Sequence, residues 1–296
     1  MPLDEDKYPT ETGRRRFVKG VVGSAALASV GVGGAAAIST ATSPSGVGGG
    51  PTTFIGIENI DGPAPRGMPM IPLKIDSDGA LKGYWPDVKT KTEAGRKVKV
   101  AEGDVGGITF SSEWYQYCGV QNYAGLVPSA DQDNYIRASS SPPPGFGWQK
   151  EAKSGGDKLY VDDFSDYKTW GNGIGKSKLG KPAAAKWRSK GDAQTIPVQV
   201  IRSEEIEKIA NGNSDKNIDP KVQSFVSEAC PKGFIAWQDK CTHFCCVPGF
   251  KAYAGSEKFD AENKVYCPCH QSVYDPFSPV LKSFVALPRP EKEGGN

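Results

Sequence analysis

Histidine is nearly missing from this chain: there are 2 in 296 residues, His243 and His270. That scarcity bears on hydrolysis by a nucleophile–histidine dyad. Once both are assigned to one site, no imidazole remains to build a Ser–His or Cys–His pair. An excess of charge is missing too, with 36 basic against 34 acidic side chains. The balance argues against a polyanionic partner, nucleic acid included, and against the heavily acidic surface of a protein adapted to high salt. Gly171-Asn172-Gly173-Ile174-Gly175 lacks both the Lys-Ser/Thr ending and the strand-to-helix setting of a phosphate loop, so it reads as a plain loop. Charge is absent altogether from Gly20 to Ile57, and Gly20 to Ile38 holds one Leu beside five Gly and six Ala. What the chain has in quantity is 36 Gly and 23 Pro, which favour many turns and a β-rich fold.

Both histidines fall in two cysteine-rich boxes, Cys241-Thr242-His243-Phe244-Cys245-Cys246 and Cys267-Pro268-Cys269-His270-Gln271-Ser272. Each box supplies a Cys and a His at metal-ligand spacing, plus at least one spare Cys. Two thiolates and two neutral imidazoles fit a tetrahedral zinc site. They fit equally a [2Fe–2S] cluster with two cysteines on one iron and two histidines on the other. Ligand count does not choose between them; arrangement does. Zinc fingers usually pair Cys with Cys and His with His, whereas here each loop gives one of each, as two loops gripping opposite ends of a two-iron rhomb need. A pair of buried disulfides with incidental histidines is the plain structural reading.

The spelling Cys-Thr-His-x-x-Cys with Cys-Pro-Cys-His-x-Ser closely resembles the two cluster-binding boxes of Rieske iron–sulfur proteins, in particular the disulfide-bearing type of cytochrome bc and bf complexes. The CTHFCC spelling points toward the archaeal members. The resemblance implies that Cys241 and Cys267 ligate a buried iron and His243 and His270 an outer one. It implies a Cys246–Cys269 disulfide joining the loops, a hydrogen bond from Ser272 to a bridging sulfide, and one from Tyr274 to a cysteine sulfur. His270 is implied as the quinol contact and proton acceptor. The likeness is specific over the boxes, looser over residues 182 to 290, and fades upstream. Where the family usually has Gly, this chain has Cys245, Gln271 and, in a proline loop expected to cover the cluster, Leu287 before Pro288-Arg289-Pro290. A glycine often marks positive φ or close backbone approach, so the loop geometry at 245 and 271 stays open. The segment between the boxes is long, and Gly255-Ser256-Glu257-Lys258 reads as an exposed turn away from the metal.

Cys118, Cys230 and Cys245 are left over, an odd number, so at least one is free or pairs outside the chain. A Cys118–Cys230 bridge is one pairing open to them. Cys245 is the alternative to Cys246 as the partner of Cys269; the family register favours Cys246, and a Cys245→Ser change is expected to do little.

Residues 1–19 form a polar N-terminus ending Arg14-Arg15-Arg16-Phe17-Val18-Lys19, which resembles a twin-arginine export signal ahead of a mild apolar run. Residues 20–41 are expected to be an uncleaved transmembrane anchor. Gly20 to Ile38 would reach about 28 Å as a helix, and the basic flank puts the N-terminus in the cytoplasm. Ala35-Ala36-Ala37 offers a cleavage site as the alternative. Residues 42–53 read as a flexible tether, 54–232 as an enlarged base domain, 233–290 as the cluster-binding subdomain, and 291–296 as a tail.

Ile196 to Ile201 reads as a strand, followed by a short helix capped by Ser203 and ended by Asn211-Gly212. Gly233 to Trp237 leads into the first box and Val265-Tyr266 into the second. The expected fold is a Rieske-type antiparallel β-sandwich with a small cluster subdomain. The resemblance implies a redox subunit rather than a stand-alone catalyst: a [2Fe–2S] carrier taking an electron from quinol at a cytochrome b and passing it to a cytochrome c or small copper protein outside the cell membrane. The small Rieske subunit of a molybdenum, arsenite-type oxidase is a second reading. A structural zinc module on an anchored binding protein is a third.

Overall fold

Phe54, Ile55 and Ile57 are fully buried in β1 (Gly50–Asp61), and the partner of that strand lies at the far end of the sequence. β14 (Val273–Ala286) runs antiparallel to it, with Gly50 opposite Ala286 and Asp61 opposite Val273. The computed structural model describes residues 48–93, 95–188 and 195–290, all within one compact unit. The architecture is mainly β, in several antiparallel sheets.

β2 (Met68–Pro69) flanks β1, while β13 (Val265–Tyr266) and then β12 (Gly249–Phe250) extend the sheet beyond β14. A second sheet runs β11 (Phe234–Gln238), β10 (Ile196–Arg202), β9 (Lys181–Trp187), β8 (Arg137–Ala138). Two smaller sheets pair β3 (Leu73–Ile75) with β4 (Leu81–Gly83), and β5 (Val88–Glu93) with β6 (Arg96–Val105) and β7 (Ile108–Ser111). Between them Trp114, Tyr115, Trp187, Trp237 and Phe225 fill one continuous core.

Among the described residues three short α-helices sit outside the sheets: α1 (Gly147–Ala152), α2 (Glu204–Ala210) and α3 (Pro220–Ala229). α2 starts where Ser203 accepts the Glu205 N–H and ends at Asn211, as its sequence predicts. α3 is capped by Asp219, with Pro220 in its first turn and Val222, Phe225, Val226 and Ala229 turned into the core.

Three expectations need adjusting. Residues 50–53, assigned to a tether, are strand, paired with Ser283 to Ala286. The boundary at 232/233 cuts both larger sheets: β11 joins one built from residues before it, and β14 joins β1 in the other. The Gly171–Gly175 loop is a latch. Asn172 Nδ2 donates to the carbonyls of Gly145 and Lys251, and the buried Lys251 Nζ donates to those of Ile174 (2.6 Å) and Lys176. It thereby ties the upstream segment to the stretch between the two boxes. No helix among the described residues is long and apolar enough to cross a membrane; residues 1–41, with the expected signal and anchor, lie outside the described residues, as does the 291–296 tail.

Candidate metal centre

Each box is a closed turn held by the same two backbone bonds. In the first, Cys245 N–H donates to Cys241 O (2.9 Å) and Cys241 N–H to Cys246 O (2.7 Å). In the second, Gln271 N–H donates to Cys267 O (2.9 Å) and Cys267 N–H to Ser272 O (2.9 Å). Such a turn needs a left-handed residue at its fifth position. Cys245 has φ 64° and Gln271 φ 62°, so both adopt the conformation a glycine would take freely. A side chain there costs about 1–2 kcal/mol, and other contacts hold it in place. β11 and β12 frame the first turn, and the β13–β14 hairpin carries the second.

The turns bring the four candidate ligands together in two layers. Cys241 and Cys267 are buried, at 1% and 0% exposure. His243 is half-buried and His270 exposed, their ring centroids 4.9 Å apart and nearly perpendicular. Phe244 stands beside both rings, 65% exposed. Below them the two thiols are neighbours. Cys241 is held well below the ordinary thiol range, first by the Cys267 thiol and then by the Tyr274 hydroxyl, against the opposing effect of burial. Cys267 is pushed up, by the Cys241 thiol first and then by burial. The Tyr274 hydroxyl lies 3.2 Å from Cys241 Sγ and accepts the Thr242 N–H at 3.1 Å. Asp239, buried two residues upstream, is pushed well above the usual carboxylate range by burial.

Two polar atoms in this arrangement are buried without a partner: His243 Nδ1 and Ser272 Oγ. An orphaned buried acceptor costs about 1–3 kcal/mol, so each fits a group held between the turns. No three of the four ligand atoms gather within 4.8 Å of one another. Around one tetrahedral zinc they would stand about 3.3–3.8 Å apart. They instead form a thiol pair and an imidazole pair. The close set is Cys246, Cys267 and Cys269, but Cys246 and Cys269 are bonded to each other with Cα atoms 6.6 Å apart, and neither offers a thiolate.

The remaining cysteines correct the sequence expectation. Cys118 pairs with Cys245, Cα atoms 5.3 Å apart, and the conjectured partner Cys230 is a free, buried thiol that burial pushes up. Adjacent cysteines thus point to different partners, Cys246 to the second turn and Cys245 to the upstream segment. Cys118 lies in the left-handed region as well, at φ 55°. Its neighbour Tyr117 donates its hydroxyl to Lys240 O at 2.9 Å, and Thr242 Oγ1 donates to Arg66 O at 2.7 Å. Sequence reasoning missed Arg66, Tyr117 and Cys118 as supports of the first turn. Only the unpaired Cys118 beside an aromatic run carried a signal. Leu287–Pro290, expected as a covering loop, is anchored elsewhere. Leu287 N–H donates to Gln116 O, and the buried Arg289 donates to Gln116 Oε1 and to Lys99 O (2.8 Å).

Comparison of the chain with protein-family models, curated proteins and solved structures finds no match.

Proposed function

We propose that this chain is a one-electron carrier holding a Rieske-type [2Fe–2S] cluster. Within that class we propose the quinol-oxidising redox subunit of a membrane cytochrome bc-type complex. The observation that carries the first step is the separation of the ligand atoms into a buried thiol pair and an outer imidazole pair. Cys241 and Cys267 would hold one iron, and His243, through its orphaned Nδ1, and His270 the other. When bound, the cluster supplies a site for one electron at a potential above that of all-cysteine centres, because two neutral imidazoles replace two thiolates.

The chain's own groups do the rest. The Cys246–Cys269 bridge ties the turns across the mouth of the site, and Tyr274 holds the Cys241 sulfur. The buried Ser272 hydroxyl, beside Cys241, would bond a sulfide. His270 presents its ring to solvent beside Phe244, where a quinol or the apolar face of a cytochrome b would meet it. The quinol, the cytochrome b and the cytochrome or copper acceptor come from the sequence resemblance, as does the twin-arginine route to the membrane. The test is iron and labile-sulfide analysis with EPR of the reduced protein. Equal amounts of iron and sulfide, with a rhombic signal averaging below the free-electron g, are expected. A colourless chain holding zinc overturns the reading. Co-purification with a cytochrome b tests the second step.

A further inference from the structure

Arg66 lies in the loop between β1 and β2, and its two ends do different things. Its carbonyl accepts the Thr242 hydroxyl at 2.7 Å, next to Cys241. Its guanidinium lies over three aromatic rings, Phe284 at 3.9 Å, Tyr117 at 4.3 Å and Phe54 at 5.3 Å. Its head group donates a hydrogen bond to the neighbouring Gly67 carbonyl, at 3.2 Å. No carboxylate forms an ion pair with it among the described residues. Burial disfavours its charge, yet an arginine remains protonated in a protein.

The choice of aromatic faces has an electrostatic meaning. A carboxylate partner would cancel the charge at a distance and leave only a dipole. Ring faces attract the cation through their quadrupoles and leave its net charge in place. The field of Arg66 therefore persists through a low-dielectric wall toward the first turn. The guanidinium stands over the Tyr117 ring, and the Arg66 carbonyl holds Thr242, whose N–H bonds the Tyr274 hydroxyl. Tyr117 carries Lys240 O, and Tyr274 carries the Cys241 sulfur.

We infer that Arg66 is a positioning residue that tunes the metal centre: its carbonyl fixes the first turn through Thr242, and its uncancelled charge favours the centre with one electron added. The inference rests on the [2Fe–2S] reading above. Reduction makes the site more negative by one charge, and a fixed nearby cation stabilises that state selectively.

The test is the midpoint potential of the full, cluster-loaded chain, by EPR-monitored redox titration, in wild type, Arg66→Met and Arg66→Lys. Iron and sulfide content is measured alongside. Arg66→Met is expected to keep its cluster and to shift the oxidised-to-reduced ratio at fixed ambient potential at least threefold toward oxidised. That is about 30 mV, since tenfold is 59 mV for one electron. Arg66→Lys, which keeps the charge, should stay within that margin of wild type. If Met disturbs packing enough to lose the cluster, Arg66→Gln removes the charge while keeping a polar head for Gly67 and should show the same shift. A neutral variant with full cluster and unmoved potential overturns the inference alone, as does an equal shift in the Lys and Met variants. A wild-type chain that loads zinc and no iron overturns the [2Fe–2S] reading and this inference with it.

Discussion

Gly62 touches the second box without a side chain to do so. It sits at φ 79°, and a Cβ there would lie 2.5 Å from Gln271 O and 2.7 Å from Ser272 Cα. Both obstacles are backbone, so Gly62→Ala must displace the turn that carries His270. It should lower cluster content in iron and sulfide assays while the melting of the β-sheets changes little. Tyr274→Phe acts more gently. Losing one hydrogen bond to the Cys241 sulfur should lower the potential by about 40 mV, from about 1 kcal/mol of differential bonding, with the cluster retained. Cys245 behaves differently from its sequence expectation, because it closes a bridge over 127 residues. That bridge is worth about 5 kcal/mol in the chain-entropy model. Cys118→Ser and Cys245→Ser should therefore lower the thermal midpoint equally, and the double variant no further. Additive losses would show that the two cysteines are not partners.

At the scale of the element, β14 carries both a ligand support and a charge cluster. Asp275 is 7% exposed and accepts Lys264 Nζ at 2.6 Å, Lys216 Nζ at 3.2 Å and the Phe277 N–H at 2.9 Å. Burial alone would raise its pKa, but the Lys264 ammonium, with Lys216 behind it, more than offsets this and leaves the carboxyl below its ordinary value. A carboxylate depressed in the folded state adds stability above the unfolded pKa, and that stability is lost as pH falls through the folded one. The loss therefore belongs below about pH 4. Asp275→Asn should cost about 2 kcal/mol at neutral pH, and thermal midpoints measured across the acid range should converge with wild type.

The elements also show what a sequence discloses. β10, α2 and β13 were legible because strand alternation, a Ser cap and a short apolar pair are local signals. The pairing of β1 with β14 was not, since no local pattern reports a partner more than 200 residues away. The four candidate ligands stood out as the only concentration of His with Cys. Arg66 and Tyr117 did not, because a half-buried arginine over aromatic rings is spelled by residues far apart in the chain.

For the whole molecule, the start of the described chain is a fastening. Gln116 Nε2 donates to Gly48 O at 2.5 Å and to Leu287 O at 2.8 Å, so the incoming chain and the end of β14 are tied to one side chain. A fragment beginning at Gly48 should melt as a unit with the site intact. One beginning at Phe54 gives up that clasp and the pairing of residues 50–53 with Ser283 to Ala286. The deficit should be about 3 kcal/mol, or roughly 6–12 °C in calorimetry. Equal midpoints for the two fragments would show that these residues are tether after all.

β1 begins beside that clasp and ends where Asp61 faces Val273, one residue past Ser272 of the second box. At strand rise its 12 residues span at most roughly 35 Å, with two register shifts against β14 near the site end. Each degree of rotation at the Gly48 end therefore sweeps the His270 end through at most about 0.6 Å by that length. A ten-degree swing moves the site by at most about the width of an aromatic ring, without a single internal contact being broken.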